Sequence, residues 1–400
     1  MSAKEIALIC GCGTSQPAKL PGLEKITDTV LSGVGFRRYT DGTYYFTERH
    51  QGVIDETERY KPRVLEFLRV LKREADPYYL RRGGQPSDYE GLYYIASQIF
   101  DSELGDVQNP VVQILIEKTR ADVGQLLRAD GKTLERDLHL HELAGEALVY
   151  MRGVVQSLLS VKPARADHFG LIKDMVEDVG ISNLDVFTVN HDALVEQYLS
   201  DCGIEFCDGF IQSGKEVRRW KPETYESTNV RIRLFKLHGG VNWFRFRPDG
   251  GHWEEEFIGI PLNGNPYFRV DEIGRRLWAL EPRPVLLVGT FNKMFEYTSG
   301  AFAELQFQFH KSLKRKSVAV IIGYGFRDAG VNTRIVEWMF SAPEKKMAIV
   351  DPSLDAIRTR MPSGIRERWN QWTGERRIVP MLKRIEDVTW DEIRTSLFST

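Results

Sequence analysis

An unbroken apolar run, Ile6 to Cys10, opens the chain and stops at a glycine turn made of Gly11, Cys12, Gly13, Thr14 and Ser15. A short apolar run bounded by glycine predicts a buried strand feeding a tight turn. Segments of the same kind fill the second half. Residues 183–190 form an apolar stretch closing on Asn190, and residues 192–199 follow with helical spacing. Residues 231–238 alternate and end at His238, Gly239 and Gly240, while residues 284–290 run apolar into Gly289 and Thr290. Residues 317–326 give the strongest strand pattern and end in Gly323, Tyr324, Gly325 and Phe326. Residues 346–352 end in Asp351 and Pro352.

Residues 55–160 change period. Apolar positions at 64, 65, 67, 68 and 71 suit a helix with one buried face, and residues 110–127 and 135–159 continue that spacing with few breakers. Continuously apolar strands that alternate with helices predict a parallel sheet covered on both faces. The expectation is an α/β fold: a Rossmann-like parallel sheet with helices on both faces, plus a long helical insertion. Residues 1–40 and 165–375 are read as a discontinuous core, 41–164 as the mainly helical insertion and 376–400 as a C-terminal strand and helix extension.

In an open parallel sheet, ligands bind beyond the carboxyl ends of the strands. The turn Gly11 to Ser15 brings backbone N–H groups toward a pyrophosphate in one reading and is a plain tight turn in the other. It is neither a full G-x-G-x-x-G nor a Walker loop. The second glycine turn is followed by Asp351 at a spacing that suits a ribose contact; the alternative is a turn with a helix cap. Asn190 suits a helix cap, or a ligand hydroxyl or water held by its amide. His238 suits proton transfer, with glycines that let a substrate approach, or a satisfied structural role. His139 and His141 do not share a helix face, so a metal site is not expected there. The basic run from Lys311 to Lys316 reads as a solvated helix end.

Composition narrows the classes. The chain has 400 residues, 42% hydrophobic and 28% charged, and a formal net charge of −2. That charge sets up no global field toward nucleic acid or an anionic membrane. No apolar run approaches the ~18 residues of a membrane span, and the start lacks the basic region of a signal peptide. A cytoplasmic protein is expected. The cysteines are Cys10, Cys12, Cys202 and Cys207; without paired C-x₂-C spacing, reduced thiols are expected rather than a zinc ribbon.

The order of these elements carries a resemblance. A Gly-x-Gly-x-Ser turn comes first, then Thr188, Val189, Asn190, His191 and Asp192, then Lys236, Leu237, His238 and Gly239, then Ile321 to Asp328. This resembles the sirtuin-like superfamily, and within it the bacterial branch of anti-phage defence NADases. The matching residues cover 1–35 and most of 165–355. The resemblance implies that Gly11, Gly13, Thr14 and Ser15 hold NAD phosphates. Asn190 would position water or the nicotinamide ribose, Asp192 would contact the nicotinamide carboxamide, and His238 would act as general base toward a ribose hydroxyl. Gly323, Tyr324 and Asp351 would line the adenosine side, with Thr290 and Asn292 edging the pocket.

The implied activity is hydrolysis of NAD⁺, as substrate and without a metal, to ADP-ribose and nicotinamide. The implied setting is a regulated NAD-depleting effector of anti-phage defence. The alternatives are an NAD-dependent protein deacylase or ADP-ribosyltransferase, and a non-catalytic nucleotide-sensing subunit. By the same analogy a homo-oligomer is expected, with a separate HerA-type ATPase as partner or, alternatively, an Argonaute-type protein. The helical block is read as the surface for such contacts or as a lid. Three departures stand out. The zinc-ribbon cysteines of deacylating sirtuins are missing, residues 16–21 lack the Asp-Phe-Arg of the family, and His191 stands where Tyr is frequent. The first two favour hydrolysis over deacylation.

Overall fold

Seven described strands pair in parallel to build the central sheet: β1 (Lys4–Cys10), β2 (Ile181–Thr188), β3 (Phe206–Cys207), β4 (Ile232–Lys236), β5 (Val318–Ile322), β6 (Lys346–Val350) and β7 (Ile378–Met381). The computed structural model describes residues 4–46, 54–81, 84–105, 109–163, 165–227, 229–267, 269–281 and 283–398. The spatial order is β7-β6-β5-β1-β2-β4-β3. The chain therefore builds outward on one side of β1 and then crosses to the other, so that β1 and β5 meet at the switch point. β1 and β5 are apolar and fully buried along Ile6 to Cys10 and Val318 to Ile322, as strands covered on both faces must be. Helices Gly170–Glu177, Leu194–Asp201, Gly300–Arg315 and Ala329–Ser341 surround the sheet. The expected Rossmann-like α/β architecture is the observed one.

Three boundaries differ from expectation. Residues 376–400 are not an added extension: Ile378 to Met381 pairs with β6 and completes the sheet. Residues 284–290 do not form a strand; among the described residues they make a single antiparallel bridge, Leu286 to Gly239. Their apolar run is buried as irregular backbone, which a hydrophobicity pattern alone cannot tell from a strand. The helical unit starts at Pro21 rather than 41, ends at Val161, and takes in Val288–Asn292.

That unit holds α1 (Leu23–Ser32), α2 (Thr57–Leu80), α3 (Tyr89–Leu104), α4 (Pro110–Leu127) and α5 (Leu140–Leu159). Local rules set its helix starts. Asp88 caps α3 through Gly91 N, and Asn109 caps α4 through Val111 N with Pro110 in the first turn. His139 is the N-cap of α5, with Glu142 returning to its backbone N–H as a capping box, so this histidine serves the helix start. Inside the unit, Glu146 receives Arg38 Nε at 2.9 Å and Tyr44 Oη at 2.8 Å.

The core unit also carries a six-stranded antiparallel sheet built from Phe210–Ser213, Val217–Trp220, Phe244–Pro248, Phe257–Pro261, Arg269–Val270 and Arg276–Ala279. Val217, Phe244, Phe246 and Leu277 form its small buried cluster.

One charged cluster lies inside the core. Asp185 on β2 is fully buried and receives Arg233 Nε at 2.7 Å and Lys316 Nζ at 2.6 Å, with Ser312 Oγ donating to the same carboxylate. Lys316 is therefore no solvated helix end, as the basic run suggested; its side chain is wholly buried against Asp185. Burial alone would raise the Asp185 pKa, but Lys316 and Arg233 pull it below the ordinary carboxylate value. Stability from this group is thus present above the unfolded carboxylate pKa and is lost as pH falls toward the folded value. Asp185→Ala strands a buried lysine and is expected to cost about 3–5 kcal/mol, read as a lower urea midpoint with an unchanged m-value.

Candidate functional site

Register brings the candidate residues to one level. Cys10, Thr188 and Lys236 are in register across β1, β2 and β4. The ladder continues one step further, with Val189 N donating to Cys10 O and Leu237 N to Thr188 O. Two residues beyond the registered triplet lie Cys12, Asn190 and His238. On the other side of β1, Cys10 is in register with Ile322, and Ile322 with Val350, so Gly323 and Asp351 follow at the same edge.

The two glycine turns meet backbone to backbone. Gly11 N donates to Ile322 O at 3.0 Å and Gly13 N to Gly323 O at 2.9 Å. A Cβ on Gly11 would lie 2.5 Å from Gly323 O, and one on Gly13 would lie 2.7 Å from Gly323 Cα. Gly323 itself has φ +59 and faces Gly13 and Thr14 N. No side chain fits here, which explains these glycines without a ligand. Thr14 N donates to Gly11 O, and Gly323 N to Val350 O. The amides of Gly11, Gly13, Thr14 and Gly323 are thus hydrogen-bonded within the fold.

Asn190 is not a helix cap. Its Nδ2 faces Gly11 O at 3.0 Å, Ser15 Oγ at 2.9 Å and Thr14 Oγ1 at 3.2 Å. Ser15 Oγ in turn donates to Asp192 Oδ2 at 2.7 Å. Leu194 N instead donates to Asp192 Oδ1 at 3.2 Å, at the start of Leu194–Asp201. The Asn190 amide thus ties the first glycine turn to the end of β2, and the Thr14 and Ser15 side chains of the turn are engaged. Cys10 lies beneath; burial, then the Asp192 carboxylate, push its thiol up to about 12.

His238 sits at the centre of a second network. Its Nε2 is 2.7 Å from Tyr297 Oη and 3.0 Å from Asp328 Oδ2, and Tyr297 Oη donates to the same Asp328 oxygen at 2.7 Å. The other oxygen, Asp328 Oδ1, caps the helix Ala329–Ser341 through Val331 N at 2.8 Å. Burial alone would raise the Asp328 pKa, but the bond and charge of His238, Lys293 and the helix N–H hold it far below the usual carboxylate range. Gly330 lets the helix start close on Tyr297: a Cβ there would lie 2.5 Å from the ring. Asp328 was visible in the sequence only as part of a motif, and Tyr297 gave no signal at all.

The surroundings are buried and polar. The His191 ring centroid lies 6.1 Å from that of His238. Burial, then the positive charges of His238, Lys293 and Lys236, drive its pKa well below 6.5. Lys236, at the end of β4, pairs with Glu196 at 2.9 Å and donates to Asp192 O. Burial raises the Glu196 pKa despite that lysine. His168 Nε2 meets Thr14 O at 2.8 Å.

The remaining expected residues divide. Tyr324 is buried; its ring packs on Phe326, and its hydroxyl donates to Asn332 Oδ1 at 2.9 Å. Its side chain supports the turn rather than lining a surface. Asn332 also donates to Phe326 O at 2.9 Å, holding Phe326 at φ +53, a costly conformation for a bulky residue. Asp351 Oδ1 accepts Ser353 N at 2.7 Å and leaves its carboxylate half-buried at the end of β6. Thr290 and Asn292 belong to the helical unit, where Asn292 Nδ2 donates to Val288 O at 2.9 Å. No group of three or more metal-ligating side chains occurs among the described residues. No described helix is long and apolar enough to cross a membrane.

No family model matches the chain, and no curated protein does. Solved sirtuin structures are similar to it at low identity. A Sir2 homologue in complex with NAD is 11% identical, with a TM-score of 0.36 over 98% of this chain and 90% of that one. A mutant Sir2 homologue in complex with ADP-ribose is 10% identical, with a TM-score of 0.38 over 98% and 92%. A structure addressing sirtuin substrate affinity is 11% identical, with a TM-score of 0.35 over 99% and 93%. The case for chemistry therefore rests on the side chains themselves.

Proposed function

We propose that the chain binds NAD⁺ in a sirtuin-like manner and hydrolyses it to ADP-ribose and nicotinamide. One observation carries this reading. Asn190 and His238 stand level on neighbouring strand ends, and the imidazole is backed by the buried carboxylate of Asp328. A histidine with a carboxylate on one nitrogen is held in a fixed orientation, the arrangement that general-base catalysis uses.

The reaction asks for little else. The bond between ribose C1′ and the nicotinamide nitrogen breaks, its electron pair leaves with neutral nicotinamide, and positive charge develops on the sugar, as in other glycosyl transfers. Water adds at C1′ and one proton is released. In this reading Asn190 orients the ribose or the water, and His238 accepts the proton that the water loses as it adds at C1′. Asp328 and Tyr297 act as positioning residues: they fix the imidazole and stabilise its charged form. The absence of C-x₂-C pairs from the sequence favours hydrolysis over transfer to an acyl-lysine.

Purified protein incubated with NAD⁺ is expected to release nicotinamide and ADP-ribose without any peptide. Release that depends on an acyl-lysine peptide would instead identify a deacylase. His238→Ala should abolish cleavage and retain ADP-ribose binding; equal activity in the two proteins would sink the assignment. Asp328→Asn keeps the shape and removes the charge, and is expected to lower kcat by roughly 10²-fold or more with little change in KM. Tyr297→Phe removes the bridging hydroxyl and should give a smaller loss in the same direction, seen as a kcat effect and an altered pH profile.

A further inference from the structure

One buried charge takes no part in the chemistry proposed above. Lys236 is the last residue of β4 and is 2% exposed. A buried ion pair adds little stability, and apolar side chains of similar volume often serve as well or better. The pair here is also incomplete. Glu196 Oε1 meets Lys236 Nζ at 2.9 Å, but Glu196 Oε2 is buried without a hydrogen-bond partner among the described residues. Stability is therefore a poor reason for this lysine.

Its bonds supply a better one. The Lys236 carbonyl accepts Gly239 N at 3.0 Å, which closes a turn over Leu237 and His238. The Lys236 ammonium donates to Asp192 O, two residues past Asn190. From there the bonds continue through the Asp192 side chain. Asp192 Oδ2 accepts Ser15 Oγ at 2.7 Å, and Ser15 Oγ accepts Asn190 Nδ2 at 2.9 Å. One residue thus holds the turn of His238 with its backbone and the loop of Asn190 with its side chain. Val241 N, donating to His191 O at 2.9 Å, is a second tie between the same two segments. The lysine has little room to swing, because the chain passes against it: a Cβ on Gly240 would lie 2.9 Å from Lys236 Cε.

We propose that Lys236 is a positioning residue that sets Asn190 against His238, acting through Asp192 and Ser15. This rests on the NAD⁺ reading above. A ribose or water held by Asn190 must come within hydrogen-bond reach of the imidazole, and a misplacement of about 1 Å costs on the order of 10²-fold in rate. The working group is the N–H given to Asp192 O; Glu196 balances the charge that brings it there.

Steady-state cleavage of NAD⁺ by the full chain tests it, read at a temperature where melting curves show every variant folded. Lys236→Met keeps the apolar stem and removes the ammonium. It is expected to lower kcat by roughly tenfold or more with little change in KM. That variant leaves Glu196 as a buried carboxylate without its partner, so the double variant Lys236→Met with Glu196→Gln is measured beside it. The double variant should melt close to the wild type and keep the low kcat. Ser15→Ala tests the route: combined with Lys236→Met, its loss should fall well short of the product of the two single losses. Wild-type kcat in the double variant overturns the proposal, since Lys236 then only balances Glu196, and so do losses that multiply in full; both leave the NAD⁺ reading standing. No cleavage of NAD⁺ by the wild type overturns that reading, and this role with it.

Discussion

The contact of Gly11 and Gly13 with Gly323 governs the functional edge of the sheet. β1 and β5 are parallel neighbours at the point where the chain changes direction, and their two turns would collide if either carried a side chain. Glycine removes the collision, and the turns hydrogen-bond to each other instead. That contact fixes where the second turn goes. Phe326 is then held in a left-handed conformation by Asn332, and Asp328 emerges as a helix cap with one oxygen turned to His238. The close approach of two backbones thus sets the geometry of an imidazole on a strand two places away.

The same contact has a cost for binding. Amides that join the turns cannot also hold a phosphate, and the side chains of Thr14 and Ser15 are tied to Gly11 O and Asp192. Burial divides the site accordingly. His238, Asp328, His191 and Lys236 are buried, where charges interact strongly. Arg327, on the second turn, is exposed.

Much of the fold was legible because buried parallel strands advertise themselves. β4, β5 and β6 fall within the apolar runs that end in glycine or polar residues, β1 and β2 start two residues before theirs, and α4 matches its pattern from Pro110 to Leu127. The antiparallel sheet was not legible: its strands are short, and alternate arginines such as Arg218, Arg245 and Arg276 mask its apolar side. Residues 284–290 show the opposite error, an apolar run buried without a ladder. In the site, Asn190 and His238 could be singled out by position at strand ends. Tyr297, the partner of His238, could not. Tyr297 reaches His238 across 59 positions, and Lys316 reaches Asp185 across 131, distances over which sequence spacing carries no signal. The resemblance put Tyr324 on the adenosine side; in the structure its hydroxyl serves Asn332.

The account turns on whether a dinucleotide occupies the shared edge of β1, β2, β4 and β5. A crystal structure of the His238→Ala protein with NAD⁺ measures this most directly. The account predicts the nicotinamide ribose between Asn190 and position 238. NAD⁺ bound elsewhere on the chain, or no bound NAD⁺ at saturating concentration in an intact fold, would contradict it.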